Sequence, residues 1–177
     1  QTTHPRLSLN VKYQNSKYLL ETDVTSTADQ YYSQETAQAL KLWVVLARCS
    51  SAVHELARKS AARFGVSASE FGVLEALYHL GALPLSAIAH KVLLSGGSIT
   101  YTVDKLEARG LVRRKHSKQD RRVILADLTN RGKDLMVQHF PKHAQEISNA
   151  MAVLSQDEQS AATDMLKRLG CSTAGIA

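Results

Sequence analysis

Proline is scarce in this chain: Pro5, Pro84 and Pro141 are its three among 177 residues. Little therefore stands in the way of long helices. Cysteine is scarcer still, with Cys49 and Cys171 alone. Two thiols do not make a disulfide framework, and a reducing, cytoplasmic setting fits. No apolar run approaches the ~20 residues of a membrane-spanning helix, and no signal peptide is visible. No membrane partner is expected. The phosphate-binding loop G-x-x-x-x-G-K-[ST] is missing, as are the G-x-S-x-G and H-E-x-x-H motifs. With no catalytic constellation, neither an enzyme nor a cofactor is expected.

What the chain does have is basic charge, unevenly spread. Its composition is otherwise that of an ordinary globular protein, 44% hydrophobic and 21% charged. The length suits a single compact domain with a real core. The net charge is +6 and the isoelectric point near 9.4. Between Lys105 and Lys133 stand ten Lys and Arg against three acids, Glu107, Asp120 and Asp127. That stretch alone carries more than the net charge of the whole chain. Clustering of this kind is what phosphate binding needs.

Residues 1–30 are polar and read as a mobile extension, although Leu7, Leu9, Val11 and Tyr13 alternate as a short strand would. One long helix is expected from Ser33 to Phe64, stopped by Gly65. Along it Leu42, Leu46, Cys49, Val53 and Leu56 recur at spacings of 4, 3, 4 and 3, a single apolar seam. Ser67-Ala-Ser-Glu70 is a capping box. The helix it opens buries Phe71, Leu74 and Tyr78 and ends at Gly81. Pro84 leads into a short helix, Leu85 to Val92. Ser95 caps the next helix, which runs to Arg109 with Gly110 behind it.

Leu111 to Lys115 and Val123 to Asp127 read as two strands of a hairpin. Thr129 caps a long helical region to about Leu154, with Pro141 as a candidate kink. There Met136, Phe140, His143, Ile147, Ala150 and Leu154 form a heptad seam suited to packing on another helix. A second capping box, Ser155-Gln-Asp-Glu158, opens a last helix expected to end at Gly170. The fold expected is mainly α (α+β).

The two helices joined between Val92 and Gly96 make a helix-turn-helix candidate, with Gly96–Arg109 as the recognition helix. Its inner face is Ile99, Val103 and Leu106. Its outer face is assigned to Ser98, Thr100, Tyr101, Thr102 and Lys105. Small residues after Ser95 let the backbone come close to a phosphate, where the helix dipole favours negative charge. The hydroxyls suit phosphates or bases, Tyr101 a thymine methyl or a phosphate, and Lys105 a phosphate or guanine. A solvated polar face is the plain alternative. The hairpin weighs against it. Arg113, Arg114, Lys115, His116, Lys118, Arg121 and Arg122 crowd one ribbon, and like charges repel. A narrow minor groove accepts an inserted Arg. Asp120 makes sense as a brace for the Arg121 or Arg122 guanidinium. Leu94-Ser-Gly-Gly-Ser98 is similar to the signature of ATP-binding cassette proteins, but without a phosphate-binding loop helix capping accounts for it.

The run LSGGSITYTVDKLEARGLVRRK, followed by DRRVILADLTNRG, resembles the multiple-antibiotic-resistance regulator (MarR) family of winged helix-turn-helix proteins. The resemblance spans about Glu35 to Gly170. It implies a homodimer on double-stranded DNA with a pseudo-palindromic operator. Helices in 31–66 and 130–177 would form the dimerisation part, and 67–129 the DNA-binding part. It further implies a recognition helix in the major groove, Arg122 at the wing tip in the minor groove, and Asp120 as its support. The extension of about 30 residues departs from the family's short start. The words LKLWVVLAR, FGVLEALYH, LLSGGSITYTVDKLE and FPKH look most like the branch that senses hydroquinones and related phenolics.

An effector pocket is then expected at the junction of the dimerisation and DNA-binding parts. Trp43, His54, Phe71, Tyr78 and His79 would supply aromatic walls and polar handles for a small aromatic ligand. The plain alternative is core packing. A sister branch of the family senses peroxides through a cysteine near the start of the first helix, a place held here by Trp43. Cys49 lies about two turns later in the apolar seam, where an inert, buried thiol is expected. Quinones are thiol-reactive, so a redox switch through Cys49 stands as the alternative. His139 and His143 are spaced as a metal pair, but no third ligand accompanies them, and no metal is expected. The leading expectation is a repressor released by a phenolic, hydroquinone or quinone ligand. A regulator without a small-molecule ligand and a non-specific architectural DNA-binding protein are the other readings.

Overall fold

The computed structural model describes residues 32–92, 94–117 and 120–173. The expected arm of residues 1–30 and the candidate contact Lys118 lie outside them. The described residues form two compact units, which part between Glu55 and Leu56.

Helix α1 is Gln34–Ala62. Ser33 caps it, its hydroxyl accepting from the Thr36 amide at 3.3 Å. In the first unit α1 shows its apolar residues to solvent: Leu42 is 54% and Trp43 69% exposed. Cys49 is exposed as well, which corrects the expectation of a buried thiol. Of the seam it belongs to, Leu42 and Val53 are exposed too, while Leu46 and Leu56 are half-buried.

The second unit opens with the end of α1 and a left-handed Gly65. Helix α2, Ala68–Leu80, starts with the expected capping box: the Ser67 hydroxyl accepts from the Glu70 amide, and the Glu70 carboxylate accepts from the Ser67 amide at 2.7 Å. Strand β1, Leu83–Pro84, leads directly into α3, Leu85–Lys91. Helix α4, Gly96–Ala108, follows, with Ser95 capping the Ser98 amide at 3.3 Å. Strands β2, Val112–His116, and β3, Ile124–Leu128, form the hairpin, one residue later than the sequence suggests. Helix α5, Asn130–Met151, continues through Pro141. Helix α6 is Gln156–Thr173. It runs past Gly170, which corrects the expected stop: a Cβ there would meet open space, so the glycine answers no local demand.

The sheet is antiparallel in the order β1-β3-β2. Leu83 pairs with Ala126, and Val112 with Leu128. Beneath it lies the core. Val73 and Leu74 of α2, Ile88 of α3, Val103 and Leu106 of α4, Leu111, Val112, Ala126 and Met136 are all 2% exposed or less. Burial of this kind contributes ~25 cal/mol per Å² of apolar surface. It fixes α3, α4 and the hairpin as one body.

Two contacts join the hairpin to α5. The Thr129 hydroxyl lies 2.7 Å from the Gly110 carbonyl and accepts from the Gly132 amide at 3.1 Å. Gly110, at φ +67°, lets the chain turn from α4 into β2. Met136 and His143 of the heptad seam are buried, while Ala150 and Leu154 at its far end are exposed.

Candidate nucleic-acid interface

Helix α4 presents two faces. Ile99, Thr102, Val103 and Leu106 recur at spacings of 3, 1 and 3 and pack inward. Ser95, Gly96, Gly97, Ser98, Thr100, Tyr101 and Lys105 are exposed. Thr102, expected on the outer face, is corrected to the inner one. It is 6% exposed, and its hydroxyl donates to the Ser98 carbonyl at 2.8 Å. The spacing explains this, since residue 102 falls one turn from both Ile99 and Leu106. Thr100 donates likewise to the Gly96 carbonyl at 3.1 Å, but from the exposed side. Tyr101 is 61% exposed, and the Lys105 ammonium sits 4.5 Å from its ring centroid. The ring steers the cation along the outer face.

The wing sorts its cations into two groups. Alternation along β2 puts Arg113 and Lys115 on one face and Arg114 on the other. Asp127 holds the first two, with oxygen–nitrogen distances of 3.3 Å to Arg113 and 2.7 Å to Lys115. Burial works against the charge on Asp127, but Lys115 and Arg113 more than offset it and hold its carboxyl below the usual range. Arg114 is held by Asp104 at 2.6 Å and by Glu107, both on α4. Neither Arg121 nor Arg122, both exposed at the tip, meets a carboxylate among the described residues.

Asp120 braces the tip by a different bond from the one expected. Its carboxylate accepts from the backbone amide of Arg122 at 2.9 Å, and no guanidinium of the described residues pairs with it. The Val123 amide donates to the Asp120 carbonyl at 3.0 Å, and the Ser117 amide to the Val123 carbonyl at 2.9 Å. His116 Nδ1 lies 2.8 Å from the Arg121 carbonyl. The brace therefore shapes the turn and leaves the Arg122 side chain uncommitted.

This geometry, two short helices and a cation-tipped ribbon on one core, meets its counterpart among known proteins. A model described as the MarR family matches residues 66–124. The chain is 46% identical over 135 residues to the HTH-type transcriptional regulator MhqR of Bacillus subtilis, covering 76% of this chain and 93% of that one. The chain belongs to the MarR family. Two solved structures share its fold. Sco3205, a MarR family transcriptional regulator from Streptomyces coelicolor, in complex with DNA, has a TM-score of 0.71 at 19% identity, over 80% of this chain and 89% of its own. NadR in complex with 4-hydroxyphenylacetate has a TM-score of 0.62 at 21% identity, over 70% and 88%. This MarR-family chain is thus a DNA-binding transcriptional regulator and not an enzyme.

The expected effector residues of the regulator divide between its two units. Trp43 and His54 stand exposed on the first-unit part of α1. In the second unit Phe71, Tyr78 and His79 share one aromatic cluster with residues that sequence reasoning did not assign to it. Phe71, 3% exposed, has its ring 4.5 Å from that of His143. His79 meets Phe140 edge-on at 4.7 Å, and Tyr78 lies 5.8 Å from Phe140. Phe64 stacks on His139 at 4.6 Å. The heptad seam of α5 was the signal that could have found Phe140 and His143. His143 is buried, its Nδ1 3.0 Å from the Ser60 hydroxyl. Both histidines of the i, i+4 pair are thus engaged by rings or hydroxyls. Among the described residues no group of three His, Cys, Asp or Glu is arranged to hold a metal. No described helix is long and apolar enough to cross a membrane.

Proposed function

We propose that the chain is a cytoplasmic, homodimeric repressor of a pseudo-palindromic operator, released by a small phenolic, hydroquinone or quinone-like ligand. Residues 67–129 read the DNA. The exposed N-terminal end of α4, from Ser95 to Lys105, enters the major groove, and Arg122 and Arg121 at the wing tip reach the minor groove. Lys118, two residues before Asp120 in the sequence, is proposed as a further contact. The observation that carries this reading is the sorting of the wing cations: the carboxylates hold those along β2, while Arg121 and Arg122 at the tip meet none among the described residues.

Residues 31–66 and 130–177 form the dimer. Supporting this, Leu42 and Trp43 of α1 and Met165 and Leu166 of α6 are each more than half exposed on the single chain, and apolar surface of that extent is ordinarily covered by a partner. A ligand releases the dimer only through its different affinity for the DNA-competent and DNA-incompetent states. Two facts support an aromatic ring. The quoted words resemble the hydroquinone-sensing branch, and NadR, which shares the fold, was solved with 4-hydroxyphenylacetate. Phe71, Tyr78 and His79 of the second unit's aromatic cluster are the proposed contacts for such a ring, and Trp43 and His54 of the first unit are further, sequence-based candidates to test.

Fluorescence anisotropy tests the reading. The chain is titrated onto a duplex that it selects from a randomised pool and onto a random duplex, and phenols, hydroquinones and quinones are then added. Preferential binding released by a panel member is expected. Equal affinity for both duplexes would replace the repressor with an architectural protein. Exposure of Cys49 favours a second reading, a thiol switch. Cys49→Ser decides between them: release that survives in the variant excludes the thiol.

A further inference from the structure

We propose that Arg114 is not a DNA contact but a positioning residue, which ties the wing to the recognition helix so that both meet DNA as one body. The proposal rests on the reading of α4 and the wing tip as the DNA-binding surface.

Arg114 lies in the middle of β2, opposite the buried Ala126 of β3. The alternation of the strand turns it away from Arg113 and Lys115 and toward α4. Asp104 and Glu107 stand three residues apart on that helix, and so on one face. One guanidinium nitrogen meets Asp104 at 2.6 Å, and the other pairs with Glu107. The free oxygen of Glu107 accepts from the Arg114 backbone amide at 3.0 Å. Glu107 thus grips both the side chain and the main chain of the strand. A planar fork that reaches two carboxylates at once fixes an orientation as well as a distance.

Charge points the same way. Arg114 brings one positive charge and its two partners bring two negative ones. A phosphate approaching this guanidinium would meet a net negative patch. Burial works against the charge on Arg114, and the bonds to Asp104 and Glu107 more than offset it. The side chain is 24% exposed, against 62% for Arg113. A recognition helix and a wing tip that shift against one another cannot both hold their grooves, so a clamp between them acts on specificity.

The test measures affinity against salt concentration, on the selected duplex and on a random one, with the full chain. Each neutralised phosphate contributes about 0.9 to the slope of log affinity on log salt. Arg114→Ala is expected to reduce the selected-over-random ratio about tenfold, in line with typical coupling between sites, and to leave the slope unchanged. The double variant D104N/E107Q is expected to lose the ratio as well, although it keeps every cation and removes two charges that repel DNA. Should Arg114→Ala fail to fold, the double variant decides. A slope reduced by about 0.9 in Arg114→Ala would make Arg114 a phosphate contact and overturn the proposal. So would an undiminished ratio in the double variant. A chain that prefers no sequence at all sinks the DNA-binding reading itself, an outcome visible in the unaltered protein before any variant is made.

Discussion

Gly132 lies so close to Leu111 that a Cβ on the glycine would stand 2.1 Å from the leucine's carbonyl oxygen. The approach seats the first turn of α5 on the base of the hairpin. Gly132→Ala is therefore expected to destabilise the chain by about 1–3 kcal/mol, the usual cost of overpacking. Urea unfolding measures it. A midpoint equal to that of the unaltered chain would show that the backbone yields without cost.

Thr102→Val should leave DNA affinity within about twofold, because the hydroxyl is turned inward to the Ser98 carbonyl and removing a helix-internal bond of this kind changes little. Anisotropy on the selected duplex measures it. A tenfold loss would return Thr102 to the contact surface.

Arg122→Ala should weaken DNA binding, reduce the salt slope by about 0.9, and leave the subunit mass seen by light scattering unchanged. Asp120→Ala should weaken binding with the slope intact, since the Asp120 carboxylate holds the Arg122 amide and not its guanidinium. Equal slopes for Arg122→Ala and the unaltered chain would remove Arg122 from the phosphate or groove contacts.

Acid should loosen the winged unit. Asp127 is held below the usual carboxylate range, where burial is outweighed by Lys115 and Arg113. Glu70 is held low too, burial being outweighed by the bonds with Ser67 and by Arg109 and Lys105. For carboxylates depressed on folding, the stabilisation is complete above the unfolded pKa, about 4 for both residue types. It disappears as pH falls through the folded values below that. Unfolding free energy should therefore be flat from roughly pH 6 to 5, by this contribution, and decline below roughly pH 4. Asp127→Asn should shallow that decline. An unchanged acid limb in Asp127→Asn would show that the pair with Lys115 carries no linkage.

The elements that the sequence announced are those with a local grammar. Ser67 with Glu70, Ser95 before two glycines, and Ser155 with Glu158 each solve the orphan amides of a helix start within four residues. Thr129 and Gly132 read as a motif because one caps α5 and the other admits the Leu111 carbonyl. Strand β1 was not readable. Its two residues owe their conformation to Leu125 and Ala126, some forty positions away. Thr102 was misplaced because its polarity was weighed above its spacing from Ile99 and Leu106. The basic run between Arg113 and Arg122 was visible as charge, but composition does not say which cations have partners. That division needed Asp104, Glu107 and Asp127 in three dimensions. The exposure of Cys49 was missed for a related reason: a heptad seam states that a surface is apolar, and not whether the same chain covers it.

Strand β1 also bears on how the protein behaves when crowded. A three-stranded sheet has two rims, and an unguarded rim recruits strands from other molecules. On one side the rim is two residues long and ends in Pro84, which has no amide hydrogen to offer an incoming chain. On the other side β2 lines the rim with Arg113, Arg114 and Lys115, charged side chains that an incoming strand would have to strip of water and of their carboxylate partners. The same ion pairs that order the wing thus work against edge-to-edge stacking. Concentrating the protein should therefore not yield fibres through the sheet.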